Sequence, residues 1–191
     1  MTLILYWASD APYTLKNIYK SVGSVLQRNW DYVHKKKVGW ELPFKGDFHI
    51  DVIPGKYSST DNTYAYLYNK ESGGRFQTSI EIQVNYVKNS KRQDTIRLMK
   101  LWKKIKSVPI KTFILEHMTI EGCKGISRNT LEPQLNAVFE YLENNVTTKK
   151  ISDPANSQNI ISNDITAEEK NRIRRLSTKA LDAESWSQVF L

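Results

Sequence analysis

Phe48-His49-Ile50-Asp51-Val52-Ile53-Pro54 sets one carboxylate in the middle of an apolar, β-branched run. Desolvating an Asp there costs on the order of several kcal/mol unless something compensates. A bound divalent cation is one compensation; a turn hydrogen bond or a nearby Lys is the other, and spacing alone leaves both open. Read as a strand bounded by Gly46 and by Pro54-Gly55, the run turns Phe48, Ile50 and Val52 to one side. His49, Asp51 and Ile53 then face the other, so Asp51 projects from the open face of a sheet packed through Phe48, Ile50 and Val52.

Cations supply a second candidate. Arg97, Lys100 and Lys104 recur at helical spacing, and cations one turn apart can reach neighbouring phosphate oxygens; a solvated helix face has the same pattern. Thr112 precedes Phe113-Ile114-Leu115-Glu116, where its hydroxyl serves as an N-cap or as a hydrogen-bond donor to phosphate. Gly23-Ser24 lies inside a helical pattern and reads as packing. His34, His49 and His117 share no ligand spacing. Tyr64, Tyr66 and Tyr68 alternate as a strand face does, with base stacking as the secondary reading.

The elements that must position these residues change character along the chain. Leu3 to Trp7 reads as a strand, and Leu15, Ile18, Tyr19, Val22, Val25 and Leu26 as a helix behind Pro12 and Thr14. Val38–Phe44 and Phe48–Ile53 form a hairpin around Lys45-Gly46-Asp47, and Tyr64–Tyr68 with Arg75–Gln77 a second around Gly73-Gly74. Ile80 to Tyr86 alternates without settling its state. Beyond it helices dominate: Leu98, Leu101, Trp102 and Ile105 make one apolar face, and Leu131 through Val146 another. Thr166 with Glu169 is a capping box opening a last helix. Ser152 to Asn163 reads as a polar loop too long for a passive connector. The expected fold class is α+β, with a sheet over 1–78 followed by a helical lobe over 79–191.

Composition bounds the partners. The 191 residues carry 28 Lys+Arg against 20 Asp+Glu, a formal charge of +8, which attracts polyanions such as nucleotides or nucleic acid. The basic residues are scattered, and a nucleic-acid-binding module stays the lesser reading. One cysteine, Cys123, excludes an internal disulfide and a multi-Cys zinc site, making a reducing cytoplasm the natural compartment. No apolar stretch is long enough for a membrane span.

As an ordered set, Gly46 to Pro54, Arg97-Leu98-Met99-Lys100-Leu101-Trp102-Lys103, Thr112 to Glu116, Asp153-Pro154 and Trp186 to Phe190 resemble the bacterial nucleotidyltransferases related to cyclic GMP-AMP synthase and oligoadenylate synthase. These belong to the polymerase-β superfamily. The resemblance covers nearly the whole chain. It implies that Asp51 is the third metal-binding carboxylate, for Mg²⁺ or Mn²⁺, and that Lys100 and Thr112, with Lys104 nearby, contact the phosphates of a nucleoside triphosphate. It further implies an intact relative that joins ATP or GTP into linear or cyclic oligonucleotide signals in antiphage defence.

One part of the signature is missing. The family opens with a Gly-Ser phosphate motif and an Asp-x-Asp on a strand running into residues like Leu3-Ile4-Leu5-Tyr6-Trp7, and here Met1 and Thr2 stand about where those carboxylates would be. Two-metal phosphoryl transfer needs several carboxylates, so the expectation is a nucleotidyltransferase body inactive by itself. Self-association or a partner supplying the front end is expected with it. A non-catalytic nucleotide-binding regulator is the alternative.

Overall fold

The computed structural model describes every residue except Asp47, so the turn expected at Lys45-Gly46-Asp47 lies partly outside the described residues. The chain divides into two compact units, Met1–Ile82 and Gln83–Leu191. Helices and a mixed sheet make it an α+β protein.

The first unit is a six-stranded sheet with one helix packed on it. Strand β1 (Thr2–Trp7) is followed by helix α1 (Leu15–Asn29), then β2 (His34–Lys35), β3 (Trp40–Pro43), β4 (His49–Tyr57), β5 (Ala65–Tyr68) and β6 (Arg75–Thr78). Thr14 caps α1, its hydroxyl accepting from the Asn17 amide at 3.2 Å, which satisfies one amide of the helix's open first turn. β1 runs parallel to β4, from Thr2 opposite Asp51 to Trp7 opposite Lys56. Antiparallel β3 pairs with β4 from His49 to Val52, and β5 from Gly55 to Tyr57.

That division of partners explains a difference from expectation. β4 does not stop at Pro54-Gly55 but runs on to Tyr57. Pro54 has no N–H to give a ladder, yet it falls between the last residue paired with β3 and the first paired with β5, so on that edge no hydrogen bond is lost.

The core of this unit gathers Tyr19 and Leu26 of α1 with Trp40, Leu42 and Val52 of the sheet. Trp40 stacks on Tyr19 at 4.9 Å and donates its indole N–H to the Tyr19 carbonyl at 3.1 Å. Gly23 makes this close approach feasible: a Cβ there would lie 1.9 Å from the Trp40 ring. The packing role expected of Gly23 is the one observed. Phe48 departs from expectation; it precedes β4, is exposed, and rests on Phe44 at 5.4 Å.

The second unit is helical. Helix α2 (Ile80–Ser90) begins before the unit boundary and settles the ambiguous stretch as helix. It is followed by α3 (Gln93–Ile105), α4 (Thr112–Gly122), α5 (Leu131–Asn145), the short hairpin β7 (Ser152–Asp153) and β8 (Asn156–Ile160), a 3-10 turn at Ile161–Asp164, α6 (Ala167–Leu181) and α7 (Trp186–Phe190). Met99, Trp102, Ile114, Met118, Val138, Phe139, Leu142 and Ile173 form its interior, with Trp102 edge-on to Phe139 at 5.1 Å.

Two expectations shift here. The buried face of α3 is Thr95, Ile96, Met99 and Trp102, while Leu101 is exposed. The polar segment from Ser152 is a hairpin rather than a loop: buried Asp153 accepts from the Ala155 amide at 2.8 Å and from Gln83 Nε2 at 3.2 Å. The capping box is as read, Thr166 accepting from the Glu169 amide and Glu169 from the Thr166 amide. No helix among the described residues is long and apolar enough to cross a membrane.

Candidate functional site

The first unit carries a polar rung across its sheet. The register sets His34 opposite Glu41, Glu41 opposite Asp51, and Asp51 opposite Thr2. Since side chains of directly paired residues share a face, these four residues form one line across β2, β3, β4 and β1. His49, two residues before Asp51 on β4, joins the same face, and its Nε2 lies 3.7 Å from Asp51 Oδ2. Glu41, His49 and Asp51 each offer a ligand atom, all within 4.8 Å of one another.

Lys36 and His34 hold one end of the rung. Lys36 Nζ sits 2.5 Å from Glu41 Oε2, and His34 Nδ1 3.1 Å from Glu41 Oε1. The Lys36 and His34 contacts keep the Glu41 carboxyl below the usual carboxylate range, and the same bond raises the Lys36 ammonium. Beside this rung opens a concave space of about 230 Å³, lined by Lys36, Val38, Gly39, Trp40, Asp51 and Ile53. Asp51 thus faces outward from the sheet, as alternation requires, and borders a cavity with a lysine on its other side.

The second unit holds the cationic residues. On α3, Lys100 is ion-paired with Glu116 of α4, and Arg97 with Asp94 at 2.7 Å. Lys104 is exposed. Thr112 is the first residue of α4 rather than its N-cap; that position is Lys111, which makes no side-chain capping bond. The Thr112 hydroxyl accepts instead from Lys103 Nζ at 3.0 Å. A lysine and a hydroxyl therefore meet at the open first turn of α4, where backbone amides lack intrahelical acceptors and favour anions. The structure brings Lys103 to Thr112 and Lys100 to Glu116.

Three residues of these sites escaped the sequence reading. Glu41 and His49 were legible in principle: the hairpin is centred on Gly46, and counting five residues outward in each direction pairs Glu41 with Asp51. His49 was set aside because the histidines lack mutual spacing, whereas its partners are carboxylates reached through sheet register. Lys103 had no signal, because its meeting with Thr112 depends on how α3 packs against α4.

No family profile matches the chain. Its curated relatives include the cyclic AMP-AMP-AMP synthase of Escherichia coli (strain MS 115-1), 24% identical over 152 residues, 70% of this chain and 47% of that protein. The chain thus spans about half the length of the curated relatives it matches. Among solved structures, E. coli MS115-1 CdnC with ATP superposes with a TM-score of 0.73 at 21% identity, covering 99% of this chain and 76% of that one. The GTP-bound form of Vibrio cholerae DncV gives 0.62 at 16% identity, covering 88% and 52%. These likenesses agree with the resemblance and with the α+β fold read from the sequence.

Proposed function

We propose that this chain, a relative of the bacterial nucleotidyltransferases related to cyclic GMP-AMP synthase, works in making cyclic oligonucleotide signals from nucleoside triphosphates in antiphage defence. Its curated relatives are oligonucleotide cyclases, and neighbours of the same fold were solved with ATP and with GTP. In this reading Asp51 holds a divalent cation, Mg²⁺ or Mn²⁺, which when bound would neutralise phosphate charge. The donor set around Asp51 fits a cation, since two carboxylates and an imidazole offer ligand atoms close together.

The observation that carries the reading for the second unit is the Lys103–Thr112 pair at the first turn of α4. Ammonium, hydroxyl and free amides together present donors that a phosphate oxygen accepts. Lys100, one turn earlier on α3, stays close by through Glu116 and can exchange that carboxylate for a phosphate.

Calorimetric titration of the full chain with ATP and with GTP tests this. Lys103→Ala and Lys100→Ala each remove a charge-assisted bond worth about 1.5–3 kcal/mol, so each weakens binding about tenfold or more. Thr112→Val removes a neutral bond worth about 0.5–1.5 kcal/mol and costs less. Parental affinity in both lysine variants, with the fold intact by circular dichroism, assigns those lysines to a solvated face and overturns the phosphate site.

A further inference from the structure

We infer that Glu41, His49 and Asp51 form a three-ligand site for a single first-row transition-metal dication, taking Mn²⁺, Co²⁺ or Zn²⁺ in preference to Mg²⁺. This rests on the reading of Asp51 as a metal-binding carboxylate and adds to it two ligands, and a metal preference, that the resemblance does not assign.

Geometry comes first. Bonds from such ions to carboxylate oxygen or imidazole nitrogen run about 2.0–2.2 Å, so atoms sharing one ion stand roughly 3 Å apart. The three ligand atoms already lie within 4.8 Å of one another, and His49 Nε2 is 3.7 Å from Asp51 Oδ2. Small side-chain rotations close the gap while the backbone stays fixed. That backbone is held by the β3–β4 ladder on one edge and the parallel β1 pairing on the other. The Asp51 amide donates to the Met1 carbonyl, and the Met1 nitrogen to the His49 carbonyl, each at 2.9 Å, so both ligand-bearing residues of β4 are tied to the residue that leads into β1.

Donor chemistry chooses the ion. Mg²⁺ takes oxygen ligands and parts reluctantly with its water, whereas imidazole suits the later first-row dications. Two carboxylates balance the charge of one dication without help. Three protein ligands leave coordination positions open, and the cavity bordered by Asp51 and Lys36 gives water or an anionic ligand room to fill them.

The neighbours complete the case. Lys36 now supplies the positive charge that Glu41 faces, with the His34 ring beside it. A metal takes over the Lys36 contact, and the His34 ring remains to orient the Glu41 carboxylate from outside, as outer-sphere partners of metal ligands do.

Co²⁺ is the probe, because its visible d–d absorption reports the ion's coordination and shifts when an imidazole replaces water. The untagged full chain, without nucleotide, is expected to bind one Co²⁺ saturably, with displacement by Zn²⁺ or Mn²⁺ at far lower concentration than by Mg²⁺. His49→Ala and Glu41→Gln are each expected to weaken Co²⁺ binding at least tenfold, while Lys149→Ala, at an exposed position, leaves it unchanged. No saturable Co²⁺ binding, or binding that Asp51→Asn abolishes but His49→Ala and Glu41→Gln leave at parental strength, overturns the three-ligand site. Because no nucleotide is present and the readout is Co²⁺ absorption, failure here and failure of the phosphate site are read separately.

Discussion

The two units spend their polar residues differently. In the first, His34, Lys36, Glu41, His49 and Asp51 gather on the open face of a sheet, where Asp51 keeps 32% and His49 47% of its side chain exposed. In the second, polar side chains go inside and bond to the fold itself. Arg92, only 7% exposed, donates to the carbonyls of Ser127, Cys123 and Ile126, ending α4 with a fixed cation where the helix dipole leaves its carbonyls unpaired. Thr95 donates to Gln134 at 2.7 Å, and Gln134 to the Thr130 carbonyl. Charge left facing water can exchange partners for a ligand; charge bonded to backbone cannot without unfolding something. A first-unit rung free to bind and a second-unit interior committed to structure is the contrast that mutation can test.

The largest effect comes from the second unit's centre. Trp102, 1% exposed and edge-on to Phe139, loses its whole ring in Trp102→Ala, a change that costs about 3–5 kcal/mol in a packed interior. His49→Ala removes an exposed ring from the rung and is expected to move stability by no more than about 0.5 kcal/mol. Urea unfolding of both variants measures the gap. Equal losses would erase the contrast, because they would make the rung structural.

Which parts of this were legible follows from the physics each depends on. Local periodicity gave away α1, α5 and α6, the capping box at Thr166 and the alternation that turns Asp51 outward. Register was within reach, since the Gly46 turn pairs Glu41 with Asp51 by counting, but strand partners were not: that Pro54 sits in a gap between β3 and β5 is a matter of tertiary arrangement. The face of α3 was misjudged because Leu101 and Met99 are equally apolar, and only the direction from which α4 and α5 approach decides that Met99 is buried and Leu101 exposed. Lys103 belongs with these, a contact between helices that spacing within one helix cannot show.

A pH titration probes the second unit's commitment next. Burial first, and then the Glu121 carboxylate, push the Tyr86 phenol up to about 12; the same two causes push Tyr141 up to about 12. Tyr86 donates to Glu121 Oε1 at 3.3 Å and stacks on the His117 ring at 4.7 Å. A raised folded-state value means that the native phenol keeps its proton while the unfolded one loses it, so stability is full below about pH 10 and falls as pH rises towards 12. Burial likewise lowers the His117 value, so its contribution is full above about pH 6.5 and falls as pH drops through the region beneath. Stability against pH is expected to decline at both ends, and Tyr86→Phe with Tyr141→Phe to flatten the alkaline limb only. An alkaline limb unchanged in that double variant would show that these phenols are not held neutral by the fold.

A smaller effect than that of Trp102→Ala lies on the surface of the second unit, where the contrast should fade. Thr166 is exposed, and its hydroxyl accepts from the Glu169 amide at 3.2 Å while the Glu169 carboxylate accepts from the Thr166 amide at 2.8 Å. Each bond satisfies an amide that has no intrahelical acceptor. Thr166→Ala removes one of them and is expected to cost about 1 kcal/mol, well short of Trp102→Ala but above the rung variant His49→Ala. Thr166→Ser keeps the acceptor and should restore most of the loss. Urea unfolding of the pair decides it: if Thr166→Ala costs nothing, α6 is held by Ile173 and Ala180 in the interior alone, and the commitment of polar groups in this unit stops at the buried ones.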